Sequence, residues 1–88
     1  MYVKLTKMSN MDQNIKKHLI EIEKIVGERI AYTRIKLGMS RKVLAVVINT
    51  SEQQLAKYEK GINRISIGRL FLVAKKLNKK IFYFLPDY

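Results

Sequence analysis

Eighty-eight residues with no cysteine and a formal net charge of +11 describe one small domain, held together by its core rather than by disulfides or thiolate metal sites. The longest apolar run, Val43 to Ile48, falls far short of the roughly 20 residues a membrane-spanning helix needs. The opening MYVKLTKMSN lacks the apolar middle of a signal peptide, so a soluble, cytoplasmic protein with no membrane partner is expected.

The first predicted element is long. Ile15, Leu19, Ile22, Val26, Ile30, Thr33 and Leu37 recur at gaps of three and four, the spacing of one helical face. Ser9 followed by Asp12 offers a cap for its start. Gly27 falls inside it at a cost of about 1 kcal/mol relative to alanine, and Gly38 ends it in the left-handed conformation. Ser40 then caps a helix over Arg41 to Ile48, whose Leu44, Ala45 and Ile48 share a face. Asn49 tolerates the left-handed conformation a sharp turn requires. Ser51 caps a further helix, Glu52 to Glu59, with Gln54 placed to complete a capping box and Gly61 to close it. After a loop through Ile62 to Ile65, Ser66 opens a helix with Ile67, Leu70, Phe71, Ala74 and Leu77 at helical spacing, ended by Asn78. Ile81 to Leu85 supplies a last short apolar turn, stopped by Pro86. No strand signal, repeat or low-complexity segment interrupts this all-α pattern.

Two short helices joined through a tight turn, Arg41 to Ile48 and Glu52 to Glu59, make a helix-turn-helix on spacing alone. In that motif the second helix lies in the DNA major groove, with its first residues at the base edges. Such a helix needs a polar first turn and a narrow core face. SEQQLAKYEKG, residues 51–61, has both: Leu55 and Tyr58 point one way, and Glu52, Gln53, Ala56 and Lys57 point the other. The charge agrees. Residues 29–80 hold thirteen Lys/Arg against two acids, whereas residues 1–28 hold five against four. A basic surface on a small domain gains free energy by displacing the counterions of a polyanion.

The segments VGERIAYTRIKLGMSRKVLA at 26–45, INTSEQQLAKYEKG at 48–61 and SIGRLFLVAKKL at 66–77 together resemble the lambda-repressor-like helix-turn-helix domains, the Cro and repressor (XRE) type. The resemblance divides the chain into an N-terminal extension, 1–25, continuing into helix 1, and a DNA-binding domain, 26–85. It implies a five-helix fold with an extended N-terminal helix, in which Leu44, Ala45, Leu55 and Tyr58 lock the two short helices together. It also implies a buried ion pair between Arg34 and Glu59. Carried over by position, Glu52, Gln53, Gln54 and Lys57 read bases. Arg41, Ser51, Lys60, Asn63 and Arg64 contact the DNA backbone, with Arg41 standing where relatives usually carry glutamine. Gln53 can pair bidentately with adenine, at about 1–3 kcal/mol of discrimination. Gln54 has an alternative role as a cap, Glu52 as a first-turn acid offsetting the helix dipole, and Lys60, Asn63 and Arg64 as a solvated loop.

Departures from the family pattern point to partners. Val46, Val47, Phe82 and Tyr83 are apolar where relatives carry polar residues, and contiguous apolar surface marks an interface unless the N-terminal helix covers it. A homodimer through the C-terminal region is expected. The rival reading is a protein-interaction module, such as the antitoxin of a toxin-antitoxin pair, with a protein partner on the N-terminal helix or the apolar tail. Catalysis has no assembled site: His18 stands among Lys16, Lys17 and Glu21, and the seven acids are scattered singly without metal-ligand spacing. The expectation is therefore a transcriptional regulator, a repressor of duplex DNA, without enzyme activity, cofactor or metal.

Overall fold

A computed structural model describes residues 2–87, with side chains from residue 12 onward. Within them four α-helices and a closing 3₁₀ turn follow in order: α1, Tyr2–Lys36; α2, Arg41–Val47; α3, Glu52–Glu59; α4, Ile67–Lys76; and the turn, Ile81–Phe84. The helix boundaries follow local chemistry. The Oγ atoms of Ser40, Ser51 and Ser66 accept from the backbone N–H groups of Val43, Gln54 and Arg69, at 3.2, 3.0 and 3.1 Å, each satisfying a donor the helix start leaves open. All four helices end at a left-handed residue: Gly38, Asn49, Gly61 and Asn78, with φ of 68, 56, 72 and 58°. In each case the next amide reaches back five residues, as Thr50 N–H does to the Ala45 carbonyl at 2.9 Å, closing a Schellman-type cap.

Two boundaries differ from expectation. α1 begins at Tyr2, so Ser9 lies within the helix and not at its cap; neither proline nor glycine interrupts the chain before Gly27. The fifth helix is a 3₁₀ turn, with amides bonding three residues back: Tyr83 to Lys80 at 2.9 Å and Leu85 to Phe82 at 3.1 Å. Pro86 prevents it from lengthening, because the residue before a proline is driven out of the helical region and Leu85 is extended, at φ −95 and ψ 144°.

Every element contributes to one core. Ile30 of α1, Leu44 of α2, Leu55 of α3, Val73 of α4 and Phe84 of the 3₁₀ turn are fully buried, with Ile48 and Leu77 beside them. Each is worth about 1.5–3 kcal/mol in transfer free energy. Only part of each predicted stripe reaches this core. On α1, Val26, Ile30 and Thr33 are buried while Ile15 and Leu19 are exposed, because the other helices gather against the second half of a much longer rod; Leu37, just past the end of α1, is exposed as well. On α4 the buried set is Leu70, Val73, Ala74 and Leu77, and the expected Ile67 and Phe71 face outward. Ile67 belongs to the first turn, ahead of the core, and Phe71 is rotated about 100° from Leu70. Val46 is also exposed and Val47 half-buried, so α1 does not cover the apolar side of α2.

A close approach of two backbones explains Gly27. A Cβ built there would lie 2.3 Å from the Tyr58 carbonyl oxygen and 2.6 Å from that of Glu59, so the end of α3 rests directly on the backbone of α1. Gly61 repeats the contact one turn away, where a Cβ would come within 2.8 Å of Lys24 Cα. Gly27→Ala should therefore lower the unfolding free energy by about 1–3 kcal/mol through overpacking, despite alanine's better helix propensity. Gly68, in α4 with nothing near its missing Cβ, provides the contrast: Gly68→Ala should hold or raise stability, by up to about 1 kcal/mol. Urea unfolding of the two variants checks both signs.

Candidate nucleic-acid interface

α2 and α3 form the expected pair, joined by the turn Ile48 to Ser51 around left-handed Asn49. The turn has a clamp that local spacing does not reveal. Arg69 of α4 donates from Nε to the Ile48 carbonyl at 3.0 Å and from Nη2 to the Asn49 carbonyl at 3.1 Å. A guanidinium on the last carbonyls of α2 satisfies acceptors that the helix end leaves open and complements the dipole there. It fixes the turn, and so the direction in which α3 leaves it. The contact joins residues about twenty positions apart, so no periodicity in the sequence signals it.

At its far end α3 is held by a buried charge cluster. The Glu59 carboxylate accepts from Arg34 Nε at 2.7 Å and Nη2 at 3.1 Å, and from Arg41 Nε at 2.7 Å. Arg34 also donates from Nη1 to the Met39 carbonyl at 2.9 Å. The Glu59 and Arg34 side chains are 2% and 8% exposed, whereas that of Arg41 is 45% exposed. The cluster thus carries two positive charges against one negative. Its surplus is carried by Arg41, whose Nη groups make no protein hydrogen bond among the described residues.

Between these two anchors α3 presents its opposite side. Glu52, Gln53 and Lys57 are exposed, Gln54 and Ala56 half-buried, and Leu55, Tyr58 and Glu59 buried. Of the capping box, one half forms: Ser51 Oγ accepts from the Gln54 amide, without a return bond from the Gln54 side chain. That leaves the amide group of Gln54 open to other partners and the Ser51 hydroxyl hydrogen free to donate. Lys60, at the end of α3, is exposed, and beyond Gly61 the loop carries Arg64 exposed and Asn63 half-buried. Arg64 Nε donates to Glu23 Oε2 of α1 at 2.8 Å. Arg29, another residue without a sequence signal, donates from Nη1 to the Tyr83 and Leu85 carbonyls at 3.2 and 2.5 Å, binding the 3₁₀ turn to α1. No group of three or more His, Cys, Asp or Glu fit to hold a metal occurs among the described residues, and none of their helices is long and apolar enough to cross a membrane.

Comparison with known proteins places this geometry. A family model described as helix-turn-helix (HTH_3) matches residues 30–84. A protein of Rickettsia prowazekii named as an uncharacterized HTH-type transcriptional regulator is 50% identical over 64 residues, covering 73% of this chain and 49% of that protein. An uncharacterized transcriptional regulator in the ATPase CF(0) region of Rhodospirillum rubrum is 45% identical over 62 residues, covering 70% and 57%. The chain thus spans about half the length of the curated relatives it matches. Among solved structures, the restriction-modification controller protein C.AhdI of Aeromonas hydrophila superposes with a TM-score of 0.67 at 19% identity, over 72% of this chain and 96% of that one. The clp gene regulator ClgR of C. glutamicum gives 0.66 at 21%, over 70% and 80%. These two likenesses establish a shared fold.

The charge cluster makes the anchorage of α3 testable. Glu59→Ala would leave Arg34 buried without its counter-charge, and should cost about 3–5 kcal/mol of stability. Denaturant unfolding reads this; a loss below about 1 kcal/mol would show that α3 is held by its apolar contacts alone.

Proposed function

The chain belongs to the lambda-repressor-like helix-turn-helix family, and from that premise we propose that it is a cytoplasmic regulator of transcription that binds duplex DNA in a sequence-specific way and represses by occupying an operator. The observation that carries this reading is the asymmetry of α3. Its carboxyl end is buried against α1, while Glu52 and Gln53 at its amino end are exposed, with no side-chain hydrogen bond or ion pair among the described residues. A helix held in this way can enter the major groove without unpacking the domain. The DNA-binding unit is residues 26–85, preceded by the extension 1–25, from which α1 runs on from Tyr2.

In this reading Gln53 takes adenine N6 and N7, Gln54 and Lys57 reach neighbouring bases, and Glu52 accepts from cytosine N4. Arg41 and Arg64 offer free Nη groups to phosphates on either side of α3. Ser51, Lys60 and Asn63 add contacts to the sugar-phosphate backbone. The test uses duplexes selected from a random pool by the protein itself. Gln53→Ala should weaken the selected duplex by about tenfold or more while hardly changing affinity for random DNA. Arg64→Ala should weaken both and reduce the slope of log affinity against log salt by about one. Equal losses on both duplexes for Gln53→Ala would remove the base-reading role.

One recognition helix reads only a few base pairs, so a homodimer with half-sites about 34 Å apart completes the proposal. Its face is the C-terminal one. Ile67, Phe71 and Phe82 are 78%, 56% and 76% exposed. Phe71 and Phe82 flank a cleft of about 430 Å³ floored by Ala74 and Ile81 and rimmed by Lys75, Lys79 and Lys80. A monomer seldom leaves such a surface in water. Across a twofold axis those lysines repel, so salt should strengthen dimerisation by screening them while weakening DNA binding. Sedimentation equilibrium of the wild type and of Phe71→Asp, over a range of salt, reads this: the variant should be monomeric throughout. A Phe71→Asp protein that dimerises as well as the wild type would place the interface elsewhere.

A further inference from the structure

The pair between Arg64 and Glu23 joins the loop after α3 to a part of α1 that precedes the matched segment, 30–84. Its geometry is unequal. The Glu23 side chain is 20% exposed and stands on a continuous helix, whereas that of Arg64 is 74% exposed on a loop. An ion pair with so exposed a partner contributes little to folding, so stability does not account for it. What it does fix is the arginine. A guanidinium has five N–H donors in a rigid fork, and only Nε is taken by Glu23. Both Nη groups remain without a protein partner among the described residues, on a side chain held at its root.

The surroundings support the same reading. The loop is pressed on α1 at Gly61, whose backbone approaches Lys24, the neighbour of Glu23. Glu23, Gly61, Ile62 and Arg64 line one shallow cavity, so loop and helix meet over a surface and not at a single bond. Arg41, which precedes α3 in the chain, repeats the arrangement. Its Nε is held by Glu59 at 2.7 Å, as Arg64 Nε is held by Glu23 at 2.8 Å, and its Nη groups are likewise left over. Both of the arginines assigned to phosphates are thus gripped by a carboxylate from a different element.

We propose that Glu23 is a positioning residue for DNA: it holds Arg64 by Nε so that the Nη edge is presented to a backbone phosphate, making the stretch of α1 just ahead of the matched segment a working part of the interface. This rests on the DNA-binding reading above. The side chain is ordered before DNA arrives, and binding loses less rotamer freedom than it would with a mobile arginine. Removing Glu23 also removes a negative charge near the phosphates, an effect of opposite sign. The two are separated by measuring it with and without Arg64.

The experiment compares wild type, Glu23→Ala, Glu23→Gln, Arg64→Ala and the double variant Glu23→Ala/Arg64→Ala of the full chain. It uses a selected duplex and a random duplex of equal length, and checks folding of each variant by thermal unfolding. With Arg64 present, Glu23→Ala should weaken both duplexes by about threefold to tenfold, the cost of ordering one long side chain. Glu23→Gln, which loses the same charge but keeps an acceptor for Nε–H, should recover part of this. In the Arg64→Ala background, Glu23→Ala should not weaken binding. Equal weakening in both backgrounds, or tighter binding with Arg64 present, would overturn the proposal. If Gln53→Ala still separates the two duplexes while Arg64→Ala changes neither, base reading stands and this inference alone falls. If no duplex is selected at all, both fall.

Discussion

The Glu59 carboxylate, 2% exposed, sits where three elements meet: it belongs to the last turn of α3 and accepts from Arg34 of α1 and Arg41 of α2. A carboxylate at that depth is tolerable only with its lone pairs filled by charged donors. The requirement fixes the distance and rotation of all three helices at once. The missing side chain of Gly27 lets the α3 carbonyls come down on α1, and that approach brings Glu59 within reach of Arg34. Backbone contact and ion pair are therefore one constraint. Together they hold α3 by its carboxyl end, with Arg69 fixing the turn before its amino end.

The same constraint arranges the charge. Only seven acids face eighteen Lys and Arg, and two of the seven, Glu59 and Glu23, grip the arginines that precede and follow α3 in the chain. Toward Arg41 and Arg64 neither forms the two-pronged pair that Glu59 makes with Arg34: each takes Nε and leaves the far edge of the guanidinium open. A carboxylate used this way keeps the cation available and limits where it can go. Scattered over a flexible surface, the same net charge would still attract a polyanion at long range. Its geometry would then be paid for at the moment of binding.

What the sequence made legible and what it did not divide along physical lines. Caps and stops act over three to five residues, and Ser40, Ser51, Ser66, Gly38, Asn49, Gly61 and Asn78 can each be read from their neighbours. The apolar periods identified the helices and overstated their burial. Leu19 and Phe71 satisfy the spacing, yet remain 42% and 56% exposed, outside the core. A period says which residues share a face and is silent about how far along that face the rest of the chain extends. Ser9 has the residue type of a cap, yet the helix passes through it. Contacts between distant segments left no local trace. Arg69 on the turn, Arg29 on the 3₁₀ turn and Glu23 on Arg64 depend on how the helices cross. The reason for Gly27 belongs with them, since its neighbours in sequence register only a helix propensity penalty, and its neighbour in space is the end of α3.

Leu55, Tyr58 and Glu59 carry the packing of α3, while Glu52, Gln53 and Lys57 are exposed and make no side-chain hydrogen bond or ion pair among the described residues. Substitutions on the exposed set act on a side chain already in water, where effects on stability usually stay within about 0.5 kcal/mol. Substitutions on the buried set move the helix itself. The separation is possible because the anchors lie on other elements: Gly27 and Arg34 on α1, Arg69 on α4. Eight residues could not hold their own position as a helix in water. A helix can be this short only because other helices supply its stability, which leaves its exposed residues free to be chosen by what they touch.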